Sequence, residues 1–294
     1  MPDAECDRLK SVSNFGAGVN SDPVAIDLNV DAALLLKDIV GIDSYPPVLA
    51  LLPNIFRLED RDRVHAAVAA ELTELGIMRD GRVHREVERW LWCLYRPDVE
   101  LAARVVGTGL DGDASAMLRL SLVRRGERHV LAARCDDAIV IQPVFHEQGR
   151  SDTVAAAVAA ALGPCPPVRF TPMTATLEQF TDVPADPVER RQALIELGAR
   201  PQTATVLTRA LDQITRRAEI VLIEHQDGST VETEVCLSVL DTREGRIVVT
   251  PAIAMDGEVR STYAPGDDTA LAAGIAALIE LLPCRSWFRA SRIR

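Results

Sequence analysis

Residues 118–165 slide onto residues 237–284 without a gap, at one constant offset of 119 positions. Leu118, Arg124, Gly126, Val130, Ala133 and Asp137 meet Leu237, Arg243, Gly245, Val249, Ala252 and Asp256. Val140, Ala157, Leu162, Pro164 and Cys165 meet Val259, Ala276, Leu281, Pro283 and Cys284. That is eleven identities in 48 positions, where roughly four would match by chance in a chain this rich in Ala, Val and Leu. The matched glycines, aspartates and Leu-x-Pro-Cys exits are turn and helix-end residues, which composition alone does not place in register. Each copy reads as hairpin, hairpin and Ala-rich helix. The expected fold is therefore one α+β body, a central antiparallel sheet flanked by two helical bundles with a quasi-two-fold internal repeat. Of the charged side chains only Arg124 and Asp137 survive the copying, which argues against a duplicated active site.

Bulk properties narrow the class. The chain has 294 residues, 48% of them hydrophobic, enough for a sizeable core. Aromatics supply only 4%, so that core must be built of Val, Leu, Ile and Ala. A formal charge of −11 disfavours nucleic acid and anionic lipid as partners. Six scattered cysteines without Cys-x-x-Cys read as reduced, packed thiols of a cytoplasmic protein. The N-terminus has no signal-peptide pattern. The longest uncharged apolar run, Ala270 to Ile279, is too short to insert in a membrane.

Residues 1–23 are expected to be a disordered lead-in. A strand over 25–30 precedes a helix capped by Asp31 and stopped by Gly41. Val48 to Leu52 reads as a buried strand, 60–75 and 83–95 as helices. Strands 99–106, 117–123, 129–135 and 138–144 form the first meander, with a Gly/Asp/Ser loop over 107–116 and helix 151–162 closing it. The Pro-rich linker 163–172 is the strongest boundary candidate, dividing halves 24–163 and 164–288 before a basic tail, 289–294. Helices are expected at 174–181, 187–197 and 202–216. Strands follow at 219–225, 230–240, 246–253 and 258–264, then helix 267–282. Asp256-Gly257 is a type I′ turn signal.

Catalytic motifs are weak. Gly107-Thr-Gly109-Leu-Asp-Gly112 matches G-x-G-x-x-G, but a phosphate cradle needs a helix after the last glycine, and here a strand follows. Asp111 and Asp113 would also repel phosphate. The five histidines lack metal-ligand spacing, and no Ser or Cys sits in a nucleophile context. Glu232 and Glu234 fall on one face of the expected strand, where a solvated sheet face explains them better than paired catalytic carboxylates. No cofactor, metal site or catalytic set is expected. The Arg cluster 285–294 reads as a frayed tail. Two features favour binding: a long loop in an otherwise tight meander, and more apolar surface on 187–216 than a short bundle needs.

The stretch Val235-Cys-Leu-Ser-Val-Leu-Asp-Thr-Arg-Glu-Gly-Arg-Ile-Val-Val249 resembles the "VLDT…GR(I/L)" strand–turn–strand of the EspG family, cytosolic chaperones of mycobacterial type VII (ESX) secretion. Ser261-Thr-Tyr-Ala-Pro-Gly266, Ile279-Glu-Leu-Leu-Pro283 and Ser286-Trp287 fit the same pattern. So do Leu52-Pro-Asn-Ile55, Glu71-Leu-Thr-Glu-Leu-Gly76, Arg96-Pro-Asp98 and Arg124 to Arg134, and the likeness covers residues 24–288. The resemblance implies a protein that binds the hydrophobic tip of the PPE subunit of a cognate PE–PPE heterodimer, keeps it soluble and directs it to its secretion system. It implies contacts from 107–117, the strand 230–240 and the bundle 187–216. Leu110, Asp111, Asp113 and Met117 are the loop candidates, Leu194, Val206 and Leu207 those of the bundle, and Glu232 and Glu234 those of the strand. The acidic loop suggests basic residues beside the partner's apolar tip. Free, the chain is expected to be a monomer or weak homodimer. The competing readings are a structural or dimerisation subunit, and an enzyme with a composite site.

Overall fold

The computed structural model describes residues 22–53, 58–107, 117–144 and 152–292. All but the last two residues of the expected lead-in, and most of the loop between the strands at 99 and 117, lie outside them. Chain order begins with β1 (Ile26–Leu28) and α1 (Val30–Val40). The cap of α1 is Asn29, not Asp31: its side-chain oxygen accepts from Ala32 N at 2.7 Å. Asp31 falls in the first turn, where its charge still favours the helix dipole. Gly41, at φ 75°, ends the helix in the left-handed conformation. The expected strand at 48–52 is absent. Pro46 and Pro47 remove two donors, and a 3₁₀ turn over Pro47–Leu49 buries Val48 and Leu49 instead.

Next come α2 (Leu58–Glu74), a small hairpin of β2 (Met78–Arg79) and β3 (Arg82–Val83), and α3 (Arg85–Tyr95). The first meander is β4 (Val99–Gly107), β5 (Leu118–Arg125), β6 (Arg128–Cys135) and β7 (Ala138–Pro143), followed by α4 (Asp152–Leu162). In the second half the expected helix 174–181 divides. Residues Met173–Thr176 form strand β8, and a Thr176/Gln179 capping box starts the short α5 (Leu177–Thr181). Helices α6 (Pro187–Glu196) and α7 (Pro201–Leu211) each open with proline at the first turn. Helix α7 ends five residues sooner than expected, because Ile214 already begins β9 (Ile214–Gln226).

The expected strand 230–240 is two strands, β10 (Ser229–Glu232) and β11 (Leu237–Thr242). Both pair with β9, Glu232 opposite Ile223 and Leu237 opposite Ile220, so four residues on this side face two on β9. The excess bulges out and breaks the alternation that the sequence suggested. The chain finishes with β12 (Gly245–Ile253), β13 (Val259–Pro265) and α8 (Asp268–Glu280). Gly257 takes φ 84°, but Asp256 stays at negative φ. The turn is therefore not type I′, which needs positive φ at both central residues.

Eleven strands make one antiparallel sheet in the order β1-β7-β6-β5-β4-β9-β11-β12-β13-β8, with β10 on β9. Read outward from the central β4–β9 pair, the order runs meander then an early short strand in both directions. Leu118 and Leu237 each begin their strands. One face of the sheet lies under α4 and α8, which pack against Leu101, Ala103, Val105, Leu120, Leu122, Ile220, Leu222, Val239 and Val248. The other face is covered twice. Helices α1 to α3 cover Ala102, Val123, Ala132 and Ile141, and α6 and α7 cover Leu240, Ile247 and Val249. Between those two bundles Arg104, Val106, Arg217 and Glu219 remain exposed along the β4–β9 centre.

The linker is built into the body. Pro166 O accepts from Arg246 N at 2.6 Å, and Val168, buried, donates to Arg246 O at 3.0 Å. A Cβ on Gly245 would run into the Pro166 carbonyl oxygen, so only glycine fits this crossing.

Candidate partner-binding face

The open strip on the second face ends at the β4–β5 hairpin. Gly107 pairs with Arg216 and Val106 with Arg217, so the mouth of this hairpin adjoins the start of β9. Arg217 also lines a cavity of about 270 Å³ beneath α5, α6 and α7, shared with Leu194, Leu207, Ile214, Phe180 and Tyr263. The hairpin mouth and the C-terminal bundle are thus joined through one residue. Phe180 and Tyr263 pack with ring centroids 4.5 Å apart. Burial pushes the Tyr263 phenol above its ordinary pKa, against the opposing pull of Arg217. It remains a neutral apolar wall with a polar tip.

Of the residues singled out from sequence, Leu110, Asp111 and Asp113 lie outside the described residues. Met117, half-buried, immediately precedes β5 at the mouth. Leu194 and Leu207 are 1% and 0% exposed and form the bundle's own core, reachable only through the cavity they line. Val206 is partly buried against the same cluster. Glu232 and Glu234 are exposed but do not join this group. Ile223, opposite Glu232, lies seven residues along β9 from Arg216, roughly 23 Å at the rise of a strand. With Glu232 ending β10 and Glu234 in the bulged connection, the two carboxylates do not share a strand.

Sequence reasoning missed Val106, Arg217, Phe180 and Tyr263. Alternation along β4 and β9 marks Val106 and Arg217 as face residues, but only the strand register puts them side by side. It also missed the C-terminal segment, which is not frayed. Trp287 and Ala290 are buried, and Trp287 Nε1 donates to His129 Nε2 at 3.0 Å. Arg124 donates from Nε to Trp287 O at 2.6 Å and from Nη2 to Ala290 O. Arg292 N donates to Asp98 at 2.9 Å. Arg294 lies outside the described residues.

Among the described residues no group of three or more His, Cys, Asp or Glu side chains could hold a metal ion. No described helix is long and apolar enough to cross a membrane. Gly109 and Gly112 of the glycine motif lie outside the described residues, and the next described element is strand β5.

A sequence model of the EspG family matches residues 29–277. The chain belongs to the EspG family. Among its EspG relatives, ESX-3 secretion-associated protein EspG3 of Mycolicibacterium smegmatis is 34% identical over 90% of this chain and 90% of its own length. ESX-1 secretion-associated protein EspG1 of Mycobacterium marinum is 31% identical, covering 92% of this chain and 93% of the relative. The fold matches that of Mycobacterium tuberculosis EspG5, a type VII secretion system chaperone solved in complex with a PE25–PPE41 dimer. That match has a TM-score of 0.76 at 21% identity and covers 91% of this chain and all of the EspG5 chain. It establishes the α+β EspG architecture.

Proposed function

We propose that this chain is a cytoplasmic type VII secretion chaperone. It binds the hydrophobic tip of the PPE subunit of a cognate PE–PPE heterodimer, holds it soluble and delivers it to its ESX system. Family membership across residues 29–277 carries the reading. The open strip between the two bundles supports it, since it combines apolar Val106 and the Arg217 cavity with the mouth of the β4–β5 hairpin. Gly107, Met117 and the bundle 187–216 border the strip, and Leu110, Asp111, Asp113, Met117 and Val206 are the contact candidates. Leu194 and Leu207 act from the cavity floor. An apolar tip seated here would be shielded from water, the main favourable term in such a complex. The acidic loop would meet basic residues beside that tip and steer encounter. The activity is stoichiometric binding, with no turnover, cofactor or nucleic acid.

Co-expression with PE–PPE pairs of the same genome, followed by size-exclusion chromatography with mass detection, tests this. The expected result is a 1:1:1 complex with one pair and a monomer or weak homodimer when the chain is alone. Deletion of 109–115 should abolish the complex while leaving the thermal transition in place. If every pair elutes apart from the chain, the reading fails.

A further inference from the structure

At the opposite end of the β4–β5 hairpin from residues 108–116, α3 and the β5–β6 turn enclose a cleft of about 590 Å³. Four arginines line it, Arg85, Arg89, Arg125 and Arg128, over an apolar floor of Trp92 and Cys93. Arg85, Arg89 and Trp92 recur at helical spacing and so share one stripe of α3. The turn is held against this stripe: Arg125 Nη1 donates to Trp92 O at 3.1 Å, and Gly126 N donates to Asp98 at 2.7 Å.

The charges do not cancel. Arg89 and Arg128 share Glu86, the latter at 3.5 Å. Asp98 is taken up by Gly126 N, Arg292 N and Arg124. Among the described residues neither Arg85 nor Arg125 has an ion pair, and both side chains are exposed. Two unneutralised guanidinium groups therefore face one cleft on a chain of net charge −11. Burial pushes the Cys93 thiol up to about 12, so the floor is inert packing and not a nucleophile.

We infer that this cleft docks an acidic segment of a second protein partner, with carboxylates on Arg85 and Arg125 and an apolar side chain on Trp92. Guanidinium forks match carboxylates in geometry and charge. The apolar floor calls for apolar residues between those acids. Exposed Glu88 at the same cleft opposes a dense polyanion such as RNA, as does the net charge of the chain. The site lies away from the proposed PE–PPE face, so both can be filled together and each can fail without the other.

The test uses fluorescence anisotropy of a labelled acetyl-Glu-Leu-Glu-Glu-Leu-Glu amide on the full chain at low ionic strength. The double variant R85E/R125E should weaken binding at least ~10-fold, while R85K/R125K, which keeps the charge but loses the fork, should bind between the parent and R85E/R125E. The complex of R85E/R125E with PE–PPE on size exclusion should match that of the parent. If the double variant melts early, R85E alone is the deciding variant, since Arg85 supports no internal ion pair. Undiminished peptide binding by R85E overturns the inference. So does tighter binding of single-stranded RNA or anionic vesicles than of the peptide, or self-association that R85E removes.

Discussion

Asp241 shows how much one side chain can organise. Its carboxylate accepts from Arg246 Nε at 2.6 Å and Nη2 at 3.0 Å, and from Arg216 Nη2 at 2.6 Å. Arg246 also donates to Gly163 O at 3.1 Å and Arg216 to Leu162 O, the carbonyl end of α4. Two cations on one carboxylate leave a surplus positive charge, and a helix C-terminus is where such a charge is favoured. Burial alone would raise the Asp241 pKa, but the hydrogen bonds from Arg246 and Arg216 outweigh it and hold the group below the ordinary carboxylate range. A depressed carboxylate stabilises the fold above its unfolded pKa and loses that contribution as pH falls through its folded value. Arg246→Ala, which leaves the carboxylate on Arg216 alone and removes the donor to Gly163 O, should cost about 1.5–3 kcal/mol in urea unfolding at neutral pH. The loss of stability on acidification below about pH 4 should be shallower in Asp241→Asn than in the parent, as measured by thermal melts across pH. Equal slopes would remove Asp241 from the acid transition. Asp241 and Arg246 stood in the strand–turn–strand signature, so their presence was legible in sequence. Their role was not, because Arg216 and the α4 terminus arrive from distant parts of the chain.

At the scale of elements, the C-terminal segment after α8 departs most from its sequence reading. A run of arginines in an acidic chain looks solvated, yet Trp287 and Ala290 carry the segment into the core. The arginine that matters there is Arg124, on β5, whose donors satisfy the segment's carbonyls. Trp287→Ala should destabilise by about 3–5 kcal/mol. Trp287→Phe, which keeps an aromatic ring but is smaller and loses the donor to His129, should cost less, about 1–3 kcal/mol. Chemical denaturation of both variants checks this, and a neutral Trp287→Ala would restore the frayed-tail reading. The break between β10 and β11 was likewise hidden. Alternation ran unbroken through Val231, Thr233, Val235 and Leu237, and only pairing against β9 shows two residues too many. Thr233 N then bonds to Leu222 O at 2.9 Å and Leu222 N to Thr233 Oγ1 at 3.2 Å, keeping the bulge closed.

At the scale of the molecule, the central cluster under α4 and α8 draws on both halves of the chain. β4 and β9 pair along nine residues of their length. Cutting at Gly163 would expose two long unpaired strand edges and divide that core. The full chain is therefore expected to unfold in one transition whose calorimetric and van't Hoff enthalpies agree, and residues 24–163 alone to lack a cooperative melt. Two separate transitions would mean that the halves are independent domains. The 119-residue offset puts equivalent strands at equivalent places in the sheet order. Superposing the two halves is the measurement that tests the quasi-two-fold relation.

What the sequence determined by itself is local and periodic. Apolar spacing named most of the elements, glycine and proline ended them, and the internal offset pointed to one sheet with two meanders. These follow from backbone stereochemistry and from the need to bury one face of each element, which neighbours along the chain already express. Tertiary structure alone decided which face stayed open, that Val106 and Arg217 meet, that Leu194 and Leu207 lie inside, and that the final segment is anchored. Those outcomes depend on strand register and on partners brought together by the fold, more than a hundred residues apart for Val106 with Arg217 and for Trp287 with His129, and a shift of one residue in register would have reversed the face assignments of the strands.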